Sequence, residues 1–399
     1  MPQQARRPVA APLRLLRLSR IAVGHGVAGF GPVTDHVVRP LHVRGVVLPD
    51  GGTRDLYVTP DGCVTYDRVD GAETIATGGY VVPGLVDAHC HVGLDAHGGV
   101  DETEQERQIT ADRDAGALLL RDAGAPVDTH WIDERADLPR LVRAGRHIAR
   151  PKRYLRNYGE EVDPENLVAE VERQVARGDG WVKLVGDWID REVGDLAPCW
   201  PADVAAAAIA RAHELGARVT AHCFGEQSVA ELVQAGIDGI EHGTGAGDDV
   251  IALMAERQVA LVPTRVQLDN FPSYADAGEA KFPAYARHMR ELHARCDEVI
   301  GKAYEAGVPV YAGTDAGGVL PHGLVGREII ALHEQVGLSA VEALAAGSWR
   351  ARSWLGHPAL EDGAAADFVV YPTDPRIDPR VLLAPLAVVL RGRPVTRIG

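Results

Sequence analysis

The 399-residue chain has no apolar run approaching the roughly 20 residues that a membrane-spanning helix requires, so a membrane protein is not expected. Cysteine is sparse: Cys63, Cys90, Cys199, Cys223 and Cys296 are odd in number, scattered, and never spaced as C-x-x-C. Neither a disulfide framework nor a zinc ribbon is indicated, and a reducing cytoplasm is the expected setting. Basic charge is in deficit, with 41 Lys and Arg against 56 Asp and Glu and a formal net charge of −15. Such a chain is repelled by nucleic acid and anionic lipid, which leaves a small molecule as the expected partner. Internal repeats are missing, and the only biased segment is the basic first twenty residues. There Arg14, Arg17 and Arg20 interrupt every stretch that could serve as a signal sequence, so the segment reads as a non-exported extension.

With 46% hydrophobic and 24% charged residues, the composition is that of a globular protein, and the length predicts two cores. From about residue 38 to 80, short β-rich pieces alternate with Pro, Asp and Gly turns. From about 85 to 345 the pattern becomes strand then helix, the signature of parallel βαβ units. Eight candidate strands follow one another: GLVDAHCHV, GALLLRDAG, RHIAR, GWVKLVGD, ARVTAHCFG, GIDGIEHGT, VALVPTR and VPVYAGTDAG. Helical segments between them, such as PADVAAAAIARAHELG and GEQSVAELVQAG, end in glycine before the next strand. Eight such units over roughly 260 residues predict a (β/α)8 TIM barrel. β character returns in ADFVVYPTD and APLAVVLRGRPVTRIG. The expected division is therefore 1–84 and 346–399 for a small β-sandwich built from both termini, and 85–345 for the barrel.

In VVPGLVDAHCHVGL, side chains of a strand alternate between faces, so His89 and His91 point the same way and Cys90 the other. A His-X-His triplet alone is weak evidence in a chain with 16 histidines. Its context is stronger, because barrel enzymes carry their active sites at the carboxyl ends of the strands. The first strand ends in His89 and His91, the fourth carries Lys183, the fifth and sixth end in His222 and His242, and the eighth ends in Asp315. Six metal-competent groups thus converge on one mouth. Cys223, like Cys90, is expected to turn into the packing layer.

These stretches resemble the amidohydrolase superfamily, in particular its imidazolonepropionase-like and prolidase-like branch. The matching segments are PGLVDAHCHVG, LLRDAG, WVKL, AHELGARVTAHCFG, GIEHGT, LVPT, AGVPVYAGTDAGG and LPHGLVGREI, in order over about residues 40 to 395. The resemblance implies that His89, His91 and Asp315 hold one divalent metal and that His222 and His242 hold a second, with Lys183 bridging both as an N-carboxylated lysine. An ordinary lysine, with a pKa of about 10.4, would set a cation against two metal ions, whereas a carbamate is an anionic oxygen ligand. Two divalent ions are the expected cofactors, with zinc leading and Mn2+, Co2+ or Fe2+ compatible with the same donors. Such a pair would lower the pKa of a shared water from about 15.7 toward about 7, and Asp315 would act as general base.

The implied activity is hydrolysis of an amide or related C–N bond, with a dipeptide or N-acyl amino acid as the leading substrate class. A cyclic amide, ester, lactone or carbamate is the alternative on the same site; a Schiff-base lyase on Lys183 and a non-catalytic binding protein are the readings from other classes. The segment RPKRYLRNYGEE places Arg153, Tyr154, Arg156 and Tyr158 near the mouth, where an arginine could grip a substrate carboxylate. The competing reading is a solvated loop paired with Glu160 and Glu161. His322 is a further candidate for substrate contact. Arg121 and Asp122 read equally as a structural ion pair, while His97, His130 and His213 read as ordinary. A homo-oligomer is compatible with the sequence.

Overall fold

A computed structural model describes residues 38–395 of the chain. The amino-terminal extension, Arg14, Arg17 and Arg20 included, lies outside the described residues. The β-rich ends meet in one seven-stranded sheet, ordered Arg393–Pro394, Ala387–Leu390, Phe368–Tyr371, Glu73–Pro83, Leu41–Val47, Gly52–Val58 and Val64–Thr65. Glu73–Pro83 runs antiparallel to Phe368–Tyr371 on one side and parallel to Leu41–Val47 on the other, so it joins the early and late parts of the chain. Among the described residues the strands from both ends of the chain thus join in one mixed sheet, where antiparallel pairing throughout was expected. The parallel pair arises because Gly52–Val58 already occupies the other edge of Leu41–Val47 as its hairpin partner.

Alternation along these strands serves two cores. Val43, Leu56, Val81, Phe368, Val370 and Val389 pack together on one face. Val82, Val369, Tyr371, Val388 and Leu390 face the larger apolar cluster of the remaining chain. Burial of both faces explains why FVVY and AVVL are unbroken apolar runs.

After Pro83 the strands run parallel. Leu85–Cys90, Ala117–Asp122 and Arg140–Arg143 form one group. Ile148–Ala149, Trp181–Val185, Arg218–Cys223, Gly239–His242 and Ala260–Val262 form a second. Residues 308–317 link the far edges: Leu261 N donates to Pro309 O at 2.8 Å, Ala88 N to Ala312 O at 2.8 Å and His91 N to Ala316 O at 2.8 Å. The result is a TIM-barrel-like α/β arrangement. Ala202–Glu214 and Glu226–Gln234 are helical as expected, followed by Gly216 and Gly236 at φ +81° and +91°, which end each helix.

Two of the eight strands differ from expectation. The third pairs with the second through Arg140–Arg143 and keeps only Ile148–Ala149 of RHIAR, because Gly145 at φ +69° interrupts it. The eighth makes only isolated bridges at Val310 and Ala316, because the backbone at Asp315 and Gly317 has positive φ. Two insertions not apparent from the sequence pattern rise at the carboxyl end. One is the hairpin Asp187–Asp190 with Asp195–Pro198; the other is the helix pair Phe271–Glu279 and Pro283–Glu305. Among the described residues no helix is long and apolar enough to cross a membrane.

A buried ion pair ties the sheet to the parallel strands. Arg352 approaches Asp367 Oδ2 and Gly84 O at 3.3 Å each and donates to Pro358 O at 2.8 Å, while Asp367 Oδ1 accepts from Arg391 N at 2.8 Å. Arg352→Met leaves the Asp367 carboxylate buried without its counter-ion. We expect a loss of about 3–5 kcal/mol in denaturant unfolding, the range for breaking one side of a buried pair; a change under about 1 kcal/mol would show that the pair does not hold the sheet in place.

Candidate active site

The parallel strands stack their inward side chains in layers. Val86, Leu119, Trp181 and Val262 form an apolar base. Above it Arg121 donates to Ala88 O at 2.7 Å, Thr220 Oγ1 at 3.2 Å and Glu241 Oε1 at 2.5 Å, with its guanidinium 5.0 Å from the Trp181 ring centroid. Arg121 thus pairs with Glu241 across the interior rather than with Asp122, which accepts from Gly124 N at 2.8 Å. Lys183 meets the other oxygen of the same Glu241 carboxylate. Cys90 and Cys223 lie in the outer apolar cluster beneath the helices.

On this layer stand the histidines. His89 Nε2 and His91 Nε2 lie 3.2 Å apart and contact Asp315 Oδ1 at 3.0 and 3.1 Å, three potential donors aimed at one point. His91 Nδ1 donates to Gly124 O at 2.7 Å, which fixes the tautomer that leaves Nε2 with a free lone pair. A second pair converges nearby: His222 Nδ1 faces His242 Nε2 at 3.0 Å, and His242 Nδ1 bonds Thr264 Oγ1 at 2.7 Å. His242, Thr264 and Asp315 all have positive φ, of 66°, 49° and 58°. Non-glycine residues rarely adopt such values, and their concentration here places strain where the side chains must be aimed.

Charge follows from burial. Burial holds His89 and His222 well below the usual imidazole pKa and His242 down at about 3, with the Lys183 ammonium acting on all three, so these rings are neutral donors. Burial also brings Lys183 down to about 7. Burial would raise Asp315, but His89 and His91 beside it hold the carboxyl well below its ordinary value. The donor set therefore fits divalent metal: two pairs of ring nitrogens, one carboxylate, and a nearby buried lysine that is readily uncharged. An orphaned buried atom supports the fit, since His222 Nε2 lacks a hydrogen-bond partner.

His91, His222 and Asp315 open into a cavity of about 380 Å3. Tyr154 and Tyr158 line it, as the sequence led us to expect of that loop. Arg153 does not: its guanidinium reaches Asp190 Oδ2 at 2.6 Å, Ala197 O at 2.7 Å and Trp188 O at 3.2 Å, so it is spent on holding the inserted hairpin. Arg156 is exposed and is not part of the lining. His322 is bound to Asp112 at 2.7 Å and also stays out of the cavity. His97 is exposed, His130 pairs with Asp128 and His213 with Asp238.

Three features of the site escaped the sequence reading. His147, in the interrupted third strand, is buried with both ring nitrogens unpartnered, 5.5 Å from the His91 ring. Its place in RHIAR was the only clue, and a strand that short carries little signal. The hairpin contributes Trp188 and Ile189, and the helix pair contributes Tyr274, Lys281, Phe282 and Tyr285. These positions follow no strand-end rule.

The amidohydrolase family profile matches residues 80–398, four-fifths of the chain, and the chain belongs to that family of metal-dependent hydrolases acting on carbon–nitrogen bonds. An uncharacterised protein of Mycobacterium tuberculosis is 55% identical over 354 residues, covering 88% of this chain and 95% of that protein. Ochratoxinase of Aspergillus niger is 29% identical over 179 residues, covering 43% of this chain and 35% of that protein. A crystal structure of a Xaa-Pro dipeptidase with bound methionine shares the fold, with a TM-score of 0.75 at 21% identity over 89% of this chain and 99% of that one.

The Arg153 contacts yield a direct test. Arg153→Met should loosen the hairpin and raise KM for free-acid substrates and their amidated counterparts by the same factor, roughly tenfold for about 1.4 kcal/mol of lost positioning. A defect confined to free acids in steady-state kinetics would instead restore this arginine to a carboxylate-binding role.

Proposed function

We propose that the chain is a dinuclear amidohydrolase that cleaves the amide bond of a dipeptide or N-acyl amino acid. The observation that carries this reading is the convergence of two separate donor pairs, His89–His91 with Asp315 and His222–His242, beside one buried lysine. In this reading His89, His91 and Asp315 would hold one ion and His222 and His242 the other, and Lys183, carboxylated, would supply an anionic oxygen ligand. A lysine that is uncharged near neutrality is the nucleophile such a carboxylation by CO2 needs. Zinc suits the nitrogen and carboxylate donors best, with Mn2+, Co2+ and Fe2+ compatible. When bound, the ions supply Lewis acidity that activates water and polarises a carbonyl.

The chain's own groups carry the proton. Asp315 uses Oδ1 toward His89 and His91 and lines the cavity, so its second oxygen is the base for the attacking water. The water oxygen joins the carbonyl carbon, the C–N bond breaks, and the same carboxyl passes the proton to the leaving amine. His147, neutral because burial holds it well below the usual imidazole pKa, backs the His91 ring at 5.5 Å from outside the cavity lining. Lys183 is closed off by Glu241 and absent from the cavity lining, which speaks against a Schiff base with substrate. We take 85–345 as the catalytic barrel and 1–84 with 346–399 as its flanking segments.

Metal analysis of the purified protein should find close to two equivalents, and Lys183→Ala should lose one of them with most of the activity, partly recovered with acetate. A fully active wild type holding one metal with an unmodified lysine in its electron density would overturn the dinuclear reading. Asp315→Asn should lower kcat by about 10²- to 10⁴-fold in metal-replete enzyme. Near-normal turnover there would remove Asp315 from proton transfer.

A further inference from the structure

Phe, Trp and Tyr make up 5% of the chain, yet a third of them line the cavity onto which His91 and His222 open. The rings form a continuous wall. Tyr154 meets Trp188 at 4.9 Å between centroids, and both contact the His222 ring, at 5.4 and 5.6 Å. On the other side of His222, Phe224 stands at 4.3 Å and leads through Phe271 toward Tyr274. Gly278 is part of this surface: a Cβ there would come within 2.9 Å of the Tyr285 ring, so the glycine admits that tyrosine to the wall. Flat faces and edges at centroid spacings of 4.5–7 Å are the geometry in which aromatic groups recognise another aromatic ring.

The polar side of the lining is equally selective. Beyond the groups already placed in catalysis, Gln267 is occupied by Tyr274 and Asn270. The only cation among the lining residues is Lys281, exposed at the turn between the inserted helices, with Nζ 5.1 Å from the centroid of Phe282, itself part of the wall. A volume near 380 Å3 equals that of about a dozen waters, enough for one ring and a short acyl amino acid but not for a long peptide.

From this placement we infer that the substrate carries an aromatic ring adjoining the scissile amide, packed between Trp188, Phe224 and Tyr274, and a carboxylate that pairs with Lys281. This rests on the amide-hydrolase reading of the site and narrows its substrate to N-acylated aromatic amino acids and aromatic dipeptides. Lys281 thus takes the role that the sequence pattern assigned to Arg153 or Arg156.

The test uses the full-length, zinc-loaded enzyme with N-acetyl-L-phenylalanine, N-acetyl-L-alanine and N-acetyl-L-phenylalaninamide. Burying the ring should favour the phenylalanine acid over the alanine acid by about 30-fold or more in kcat/KM. Trp188→Leu should shrink that ratio below about fivefold with zinc content unchanged. Lys281→Met should cost about tenfold with the acid and less than about twofold with the amide. Equal kcat/KM for the phenylalanine and alanine acids would overturn the ring, and an equal Lys281→Met effect on acid and amide would overturn the carboxylate contact; both outcomes leave amide hydrolysis standing. If none of the three compounds is cleaved, the amide-hydrolase reading is what fails, and calorimetric titration decides the recognition. Binding of N-acetyl-L-phenylalanine about 30-fold tighter than N-acetyl-L-alanine supports the inference, and equal binding overturns it.

Discussion

Four imidazoles, a lysine and a partly exposed aspartate crowd around one space, and holding so many polar groups together away from water is costly. The electrostatics of the interior reflect that crowding: burial drives His89, His222 and His242 neutral and brings Lys183 down to about 7. Ring nitrogens from neighbouring strands then face each other across about 3 Å, as those of His222 and His242 do. Much of the surrounding structure can be understood as the means of holding this arrangement against its own cost.

The support comes from beneath and from the sides. Arg121 and Glu241 make a charged floor that is fully buried and internally paired, so the polar layer is anchored without facing solvent. Asp87 accepts from the Thr314 hydroxyl and from Thr314 and His89 N–H groups, which locks the first and last strand segments at the level of the ligands. The positive φ at His242, Thr264 and Asp315 costs conformational energy that regular strands would not incur. That energy is recovered when side chains so aimed share a ligand, which is why such strain gathers at sites of function.

The cavity wall and the paired histidines come from different parts of the fold. The donors belong to strand ends, whose directions are set by the barrel, whereas the cavity wall belongs to a hairpin and a helix pair inserted above it. Arg153 links the two by capping carbonyls of the hairpin, and His288 adds contacts to Asp195 and Glu226 at 3.0 Å each from the long helix. A scaffold of this kind can change its substrate by altering insertions while its chemistry stays fixed.

The alternation of strand and helix, the glycine stops, and the polar ends of the apolar runs were legible in the residues, because local backbone periodicity and the inward alternation of strand side chains decide them. The strand-end positions of His89, His91, Lys183, His222, His242 and Asp315 follow from the same rule. The third and eighth strands were blurred, since Gly145, Asp315 and Gly317 break the regular pattern on which such reading relies. Arg153 looked like a substrate ligand because sequence shows a charge near a site but not its partner, and only the packed hairpin supplied Asp190 and the carbonyls that occupy it. Sequence by itself determined the order of elements and the chemistry available at their ends. Tertiary structure alone decided which donors meet, which arginine is spent on structure and which aromatic rings share a cavity, because these depend on distances between residues far apart in the chain, to which no local pattern is sensitive.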